Sequence, residues 1–320
     1  MKKPLLILTG PTAVGKTKLS IALAKAVNGA VISADSMQVY RYMDIGSAKI
    51  QKEEMQGVPH YLVDVLDPKD EFNVARFQEM AHEAMEEIYK NGQIPVIVGG
   101  TGFYIQALLK EVNFSESHGE LPLRKLLEQE AAKEDGPERL HQRLEKVDPA
   151  SAALIHVHNV KRVIRALEYF EETGRPISEH NEEQREKDPP YTYAYFVLND
   201  ERSRLYQRID KRVDEMISKG LVEEVRKLKE MGYERDLVSM QGLGYKELFP
   251  YLEGECTLEE AVYVIKRDTR HFAKRQLTWF RREKDVIWLN KPEFEYDEDK
   301  ILQRMLCIWQ EKRNEESKKC

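Results

Sequence analysis

An apolar run, Leu5-Leu6-Ile7-Leu8-Thr9, leads into Gly10-Pro11-Thr12-Ala13-Val14-Gly15-Lys16-Thr17, and residues 18–27 then carry a helical pattern. Strand, glycine-bounded loop and helix in that order form the G-x-x-x-x-G-K-[ST] phosphate-binding arrangement. It constrains the fold strongly, because the loop must lie between the carboxyl end of a strand and the amino end of a helix. There, free backbone N–H groups and the helix dipole make an anion cradle. Lys16 is placed to reach the outer phosphates, and the Thr17 hydroxyl suits Mg2+. Residues 10–17 are therefore expected to hold a diphosphate or polyphosphate. A chance glycine turn would lack the flanking strand and helix.

The first third of the chain alternates strand and helix. Strand candidates are residues 30–33, 61–65 and 94–98; a helix is expected over 74–90, with Asn73 as its cap and Asn91-Gly92 as its stop. Apolar strands separated by helices mark an α/β fold, a P-loop NTPase-like, mostly parallel sheet with helices on both faces. Ligands of such sheets sit beyond the carboxyl ends of the strands. The loop at 10–17, Asp35 and Thr101 all follow strand ends, so one crevice should collect them. From 115 to 190 the chain is charged and helical and ends in Lys187-Asp188-Pro189-Pro190. It is expected to form a helical insertion domain, with residues 1–114 and 191–320 as the catalytic core. Strands return at 193–198 and 286–289, and the polar tail beyond Gln310 is expected to fray.

The net charge of −6 argues against blanket nucleic-acid binding, yet residues 266–284 carry eight cations against Asp268 and Glu283. Such a local patch is compatible with RNA. Cys256, Cys307 and Cys320 are far apart and form no C-x-x-C pair, which fits free thiols in a reducing cytoplasm. No apolar run has the length of a bilayer span. Met1-Lys2-Lys3-Pro4 runs directly into the first strand and does not read as a signal peptide. Nothing demands more than a monomer.

Two later helices carry chemistry. Thr257-Leu258-Glu259-Glu260 is a capping box. In the helix it opens, Leu258, Val262, Ile265, Thr269, Phe272, Ala273 and Phe280 share the core stripe. Lys266, Arg270, Lys274 and Arg281 line one flank, with Arg267 beside them. Gln276 falls within the apolar stripe, where a buried amide must find partners, so it either ties down backbone or faces the site. In the helix starting near Arg202, Leu205, Ile209, Val213 and Met216 form the stripe, and Arg204, Arg208 and Arg212 run along its edge. Arg204 reads as solvated. Arg208 and Arg212 lie closer to the buried side and call for an anionic partner.

Asp35, one strand from the loop, is a candidate general base, with a turn-capping role as the alternative. Thr101, in Gly99-Gly100-Thr101-Gly102, is both a natural helix cap and a candidate substrate contact. Asp64 is a weak Walker-B carboxylate or a strand-end cap.

Joined to Asp35-Ser36-Met37-Gln38-Val39-Tyr40, Met43-Asp44-Ile45-Gly46-Ser47-Ala48-Lys49 and Pro59-His60-Tyr61-Leu62-Val63-Asp64, the P-loop resembles the opening motifs of tRNA dimethylallyltransferases. Gly99-Gly100-Thr101-Gly102-Phe103-Tyr104, Arg162-Val163-Ile164-Arg165-Ala166-Leu167-Glu168, Gly244-Tyr245-Lys246-Glu247 and the run from Thr269 through His271 and Gln276 to Arg281 continue the resemblance in family order. Val14 and Ser47 depart from the Ser and Thr expected there; neither change removes a charge or a loop glycine. The bacterial form of the family fits, because the zinc finger of eukaryotic relatives is absent.

The resemblance implies transfer of a dimethylallyl group from dimethylallyl diphosphate to N6 of the adenine 3′ to the tRNA anticodon. Asp35 would accept the amine proton. Lys16, the loop amides, Mg2+ on Thr17, and Arg208 or Arg212 would steady the departing diphosphate, with Thr101 on the bridging oxygen or the adenine. Asp35, Ser36, Met37, Gln38, Thr101 and Gln276, with Lys161, Arg162 and Arg165 of the insertion and Lys266, Arg270, Lys274, Arg275 and Arg281 of the basic helix, would meet the RNA. Two other classes compete. A small-metabolite kinase needs neither the basic helix nor the insertion. An RNA-binding module with a vestigial nucleotide site needs neither Gly15-Lys16-Thr17 nor Asp35. Prenylation of a free adenine nucleotide is disfavoured by the same RNA-facing features.

Overall fold

Leu5, Leu6, Ile7 and Leu8 of strand β1 (Lys3–Thr9) are all at most 1% exposed. A strand can hide consecutive side chains in this way only when both its faces are covered. In the computed structural model, which describes residues 2–114 and 121–318, β1 lies inside a six-stranded sheet. The other strands are β2 (Gly29–Ala34), β3 (His60–Tyr61), β4 (Ile94–Gly99), β5 (Tyr191–Asn199) and β6 (Val286–Asn290), in the order β3-β2-β4-β1-β5-β6. Every pairing is parallel. This is the P-loop NTPase-like α/β architecture expected from the strand–helix alternation.

Helices α1 (Lys16–Ala26) and α2 (Val74–Lys90) follow β1 and β3. Asn73 caps α2 by accepting from Arg76 N, and the helix stops at Asn91. Helix α3 (Gly102–Leu109) follows β4. The second half of the sheet carries α9 (Arg202–Ser218), α10 (Leu221–Glu230), α11 (Leu248–Leu252), α12 (Leu258–Phe280) and α13 (Glu298–Ser317), after a separate helical run of α4 (Leu121–Ala131), α5 (Gly136–Val147), α6 (Pro149–Leu154), α7 (Val160–Thr173) and α8 (Ile177–Glu186). Alternate strand residues Leu6, Leu8, Val31, Val96 and Phe196 share a core with Leu19 and Leu23 of α1, Leu205 and Ile209 of α9, and Ile301 and Met305 of α13. Leu5, Ile7, Ile32 and Ile97 point to the opposite face and are equally buried.

The chain forms two compact units, Met1–Leu108 with Pro190–Cys320, and Leu109–Pro189. The second has its own core of Leu127, Leu140, Leu144, Val163, Ile164 and Leu167. Within it the Arg124 guanidinium forks onto Glu168, which is fully buried, at 3.0 and 2.9 Å. The expected insertion start at 115 and the thiol of Cys320 lie outside the described residues.

Two expectations need correction. β3 covers only His60–Tyr61, not residues 61–65, because Leu62 and Asp64 adopt φ of 60° and turn the chain out of the sheet. The following residues pair instead with the segment after β2, through Asp64 N to Gln38 O and Val65 N to Val39 O. The tail beyond Gln310 stays helical to Ser317: α13 is capped by Asp297, which accepts from Asp299 N and Lys300 N, and its polar residues are its exposed face.

Candidate active site

The parallel register brings Thr9 beside Gly99, and Gly99 beside Ala34, so three strand ends meet. Thr9 Oγ1 donates to Gly99 O at 2.7 Å and Thr101 N to Ala34 O at 3.3 Å, pinning the ends together. The P-loop, Asp35 and Thr101 thus emerge side by side, as the strand ends require. The Lys16 ammonium turns into the loop and donates to Gly10 O and Pro11 O, both at 2.9 Å. Burial lowers its pKa to about 8; Asp35 opposes the shift and Arg212 adds to it. Arg208 Nε donates to Ala13 O at 2.8 Å. Arg212, beside Asp35 and Arg208, is also pushed below the usual guanidinium range, by burial first.

Gln276 takes both roles open to it. Its Oε1 accepts from Thr12 N at 2.9 Å and its Nε2 donates to Gly100 O at 3.0 Å, so one buried amide of α12 clamps two strand-end loops. A Cβ on Gly100 would lie 2.1 Å from that Nε2, so a larger residue there would displace the amide from its clamp. The same side chain lines the crevice.

That crevice has two halves sharing Thr12, Ala13, Asp35, Ser47, Arg212, Phe272 and Gln276. One, of about 500 Å³, is polar and holds Gly15, Lys16, Thr17, Arg208, Lys211 and Glu215. The other, of about 320 Å³, is lined by Thr101, Ile209, Val213, Met216, Leu243 and Ile265. Asp35 stands at the seam. Its Oδ1 accepts from Met37 N at 2.8 Å and Gln38 N at 3.3 Å, the turn-capping geometry. Its Oδ2 carries no hydrogen bond among the described residues, so capping leaves a carboxylate oxygen for chemistry.

Ser36 and Met37 line the less polar half. The Gln38 amide is committed to structure, donating to Ser47 O and Ala48 O at 3.3 and 3.2 Å. Asp64 is committed too: the buried Lys49 ammonium donates to Asp64 at 2.7 Å, Asp44 at 2.6 Å and Tyr40 O at 2.7 Å. A carboxylate bound in that way is no Walker-B ligand.

The basic helix is less open than its sequence suggests. Lys266 pairs with Asp214 at 2.6 Å and Arg270 with Asp210 at 2.5 Å, tying α12 to α9, and Arg267 pairs with Asp268 at 2.8 Å. Lys274, Arg275 and Arg281 are exposed, and Arg275 borders the less polar half. Arg204, expected to be merely solvated, stacks 3.8 Å from the Tyr296 ring centroid. Arg208, expected nearer the buried side, is largely exposed while its Nε is held by the loop. In the second unit, Lys161 and Arg162 are exposed at the start of α7, and Arg165 is half-buried one turn on.

Mg2+ binds through one or two protein oxygens plus phosphate oxygens and waters. Thr17, Asp35 and Glu215 put oxygens of that kind into the polar half, so the donor set fits. Among the described residues no three His, Cys, Asp or Glu side chains converge as a closed metal cage.

Sequence reasoning missed two residues. Glu224 of α10 accepts from Asp44 N, Ile45 N and Gly46 N at 3.0, 2.7 and 3.1 Å and from Tyr245 Oη at 2.8 Å, holding the loop that carries Ser47 into the crevice. Lys291, only 5% exposed, donates to Val14 O at 3.3 Å. Its signal was available: it follows the last strand of a parallel sheet, so it emerges at the P-loop end.

Residues 38–283 match the family model described as IPP transferase. The chain is 63% identical over 310 residues to a tRNA dimethylallyltransferase of Lachnoclostridium phytofermentans, covering 97% of this chain and 98% of that one. It is 53% identical to the tRNA dimethylallyltransferase of Acetivibrio thermocellus, over 94% and 95% of the two chains. A solved tRNA isopentenylpyrophosphate transferase from Bacillus halodurans superposes with a TM-score of 0.74 at 44% identity, covering 99% and 100%. A eukaryotic dimethylallyltransferase acting on tRNA superposes with a TM-score of 0.78 at 31% identity, over 90% of this chain and 74% of that one.

Proposed function

The chain belongs to the IPP transferase family, and from that premise we propose that it is a tRNA dimethylallyltransferase. It moves a dimethylallyl group from dimethylallyl diphosphate to N6 of the adenine 3′-adjacent to the anticodon and releases diphosphate. The observation that carries this reading is the position of Asp35, at the seam between a cationic phosphate cradle and a less polar compartment.

The diphosphate lies in the polar half, where the loop N–H groups, Lys16, Arg208 and Arg212 face it. The dimethylallyl group extends past the seam toward Ile209, Val213 and Met216. The adenine leaves its stack, as a loop base can do at modest cost, and brings N6 to Asp35 with Thr101 alongside. The exocyclic amine is a weak nucleophile because its lone pair is delocalised into the ring. As the N6–C1 bond forms and the C1–O bond breaks, the electron pair of the broken bond leaves with the diphosphate and the N6 proton passes to Asp35. Cations and amides aimed at the leaving oxygens favour that charge separation. When bound, Mg2+ would be held by Thr17 with the carboxylates of the polar half nearby, and would supply further charge neutralisation on the diphosphate.

For the RNA, Lys274, Arg275 and Arg281 offer phosphate contacts and Ser36 and Met37 surround the base. Lys161, Arg162 and Arg165 of the second unit contact the anticodon stem. Phosphate contacts position the RNA, and contacts to splayed bases select it. A tRNA substrate fits a cytoplasmic protein, acting as a monomer.

The test is incubation with Mg2+, labelled dimethylallyl diphosphate and an anticodon stem-loop bearing three adenines across the modification site. Label on the base 3′ to the anticodon is expected. No transfer to RNA, together with ATP-dependent phosphorylation of a small metabolite, would refute the reading.

A further inference from the structure

Lys291 opens the 3-10 turn Lys291–Phe294 directly after β6. β6 pairs with β5 and β5 with β1, so this turn and the P-loop share one end of the sheet. The ammonium has three N–H groups to satisfy, and the hydrogen bond it makes to Val14 O is long, at 3.3 Å. A Cβ on Gly15 would lie 3.4 Å from Lys291 Nζ and 3.3 Å from Arg208 Nη2, so both cations crowd the same loop residue. Burial and the neighbouring Arg208 and Arg204 disfavour the charge, while Asp200 and Glu298 favour it. Asp200 is itself buried, with an Oδ2 that has no hydrogen-bond partner among the described residues.

We propose that Lys291 is a positioning residue of the diphosphate site, acting on the P-loop from its carbonyl side. This rests on the transferase reading and adds to it a residue beyond the segment matched by the family model. The carbonyl of Val14 and the N–H of Gly15 belong to one planar trans peptide and point in opposite directions. A cation holding that carbonyl turns the Gly15 N–H toward the bound anion. Arg208 fixes the preceding peptide through Ala13 O in the same way. Two consecutive peptide planes are thereby set by cations from different elements, and the positive field of both extends into the cradle. The anion in turn offsets the cost of keeping an under-partnered ammonium buried.

The test uses the full chain with Mg2+ and inorganic diphosphate in calorimetry, alongside steady-state kinetics with dimethylallyl diphosphate and a stem-loop. Lys291→Met should weaken diphosphate binding by about tenfold or more and raise KM for dimethylallyl diphosphate in parallel, with kcat changed by less than about threefold. Lys291→Arg should recover most of the loss, and stem-loop affinity should not move. A Met variant with a lowered melting temperature but wild-type diphosphate affinity and KM would overturn the inference. If the Met variant does not fold, Lys291→Gln is read in its place: a comparable loss supports the ammonium's role, and wild-type affinity refutes it. Absence of diphosphate binding by the unaltered chain would overturn the transferase reading as well, whereas binding with an unaffected variant overturns this inference alone.

Discussion

Lys16 combines two demands that pull against each other. On the proposed reading it meets the diphosphate, yet it is buried among loop carbonyls, and that burial brings its pKa down to about 8. The charged form binds the anion, so affinity should be full below pH 8 and fall as the pH rises through that value. A bound diphosphate restores the proton, which predicts proton uptake on binding near pH 8–9; calorimetry in buffers of differing ionisation enthalpy measures it directly. Affinity that is flat from pH 7 to 10 would contradict this. Asp35 makes a different demand. Asp35→Asn preserves the cap to Met37 and Gln38 but removes the proton acceptor, so single-turnover transfer should fall by about 10²–10⁴-fold with stem-loop affinity within about threefold. Loss of both together would mark Asp35 as a structural cap. At this scale the sequence was informative wherever a side chain's task is set by its neighbours in the chain, as in residues 10–17 or at Asp35. For Lys291 it offered only a location, at the P-loop end after the last strand, and not the partner, which is a backbone carbonyl far away in the chain.

Elements meet at the site through side chains that serve as clamps. Gln276 joins α12 to the P-loop and to Gly100, and its position inside an apolar stripe already marked it as a buried amide in need of partners. Glu224 carried no such mark, because a glutamate in a charged helix looks like any solvated residue; only the folded loop presents its three N–H groups. Glu224→Ala would leave those groups and Tyr245 Oη short of their acceptor, costing about 2–3 kcal/mol. Urea denaturation should show the loss as a lower midpoint with an unchanged slope. A cost below about 0.5 kcal/mol, the range of an ordinary surface change, would contradict the clamp. The strands were readable from their apolar runs. β3 was read too long because two backbone features, the positive φ of Leu62 and of Asp64, leave no trace in hydropathy.

For the whole molecule, charge is distributed so that an acidic chain carries basic faces. Six cations, Lys274, Arg275 and Arg281 of α12 and Lys161, Arg162 and Arg165 of α7, are assigned to phosphates, which predicts a log–log salt slope for stem-loop binding of about −4 to −5. Lys266 and Arg270 are withheld from that count by Asp214 and Asp210. Asp210→Asn with Asp214→Asn should release them and steepen the slope by about 1–2; an unchanged slope would contradict their being held. The fold class was legible because a parallel sheet writes itself as alternating runs. The ion pairs between α9 and α12 were not, because a helical pattern reveals which residues share a flank but not which helix that flank meets.

On the proposed reading the P-loop grips a leaving group and not a phosphoryl donor. The most direct measurement follows both fates in one reaction with the stem-loop, carbon-labelled dimethylallyl diphosphate and γ-labelled ATP. Carbon label entering RNA one for one with released diphosphate, with no movement of the phosphate label and no need for ATP, is the predicted result. Transfer of the phosphate label to any acceptor, with no carbon label in the RNA, would contradict it.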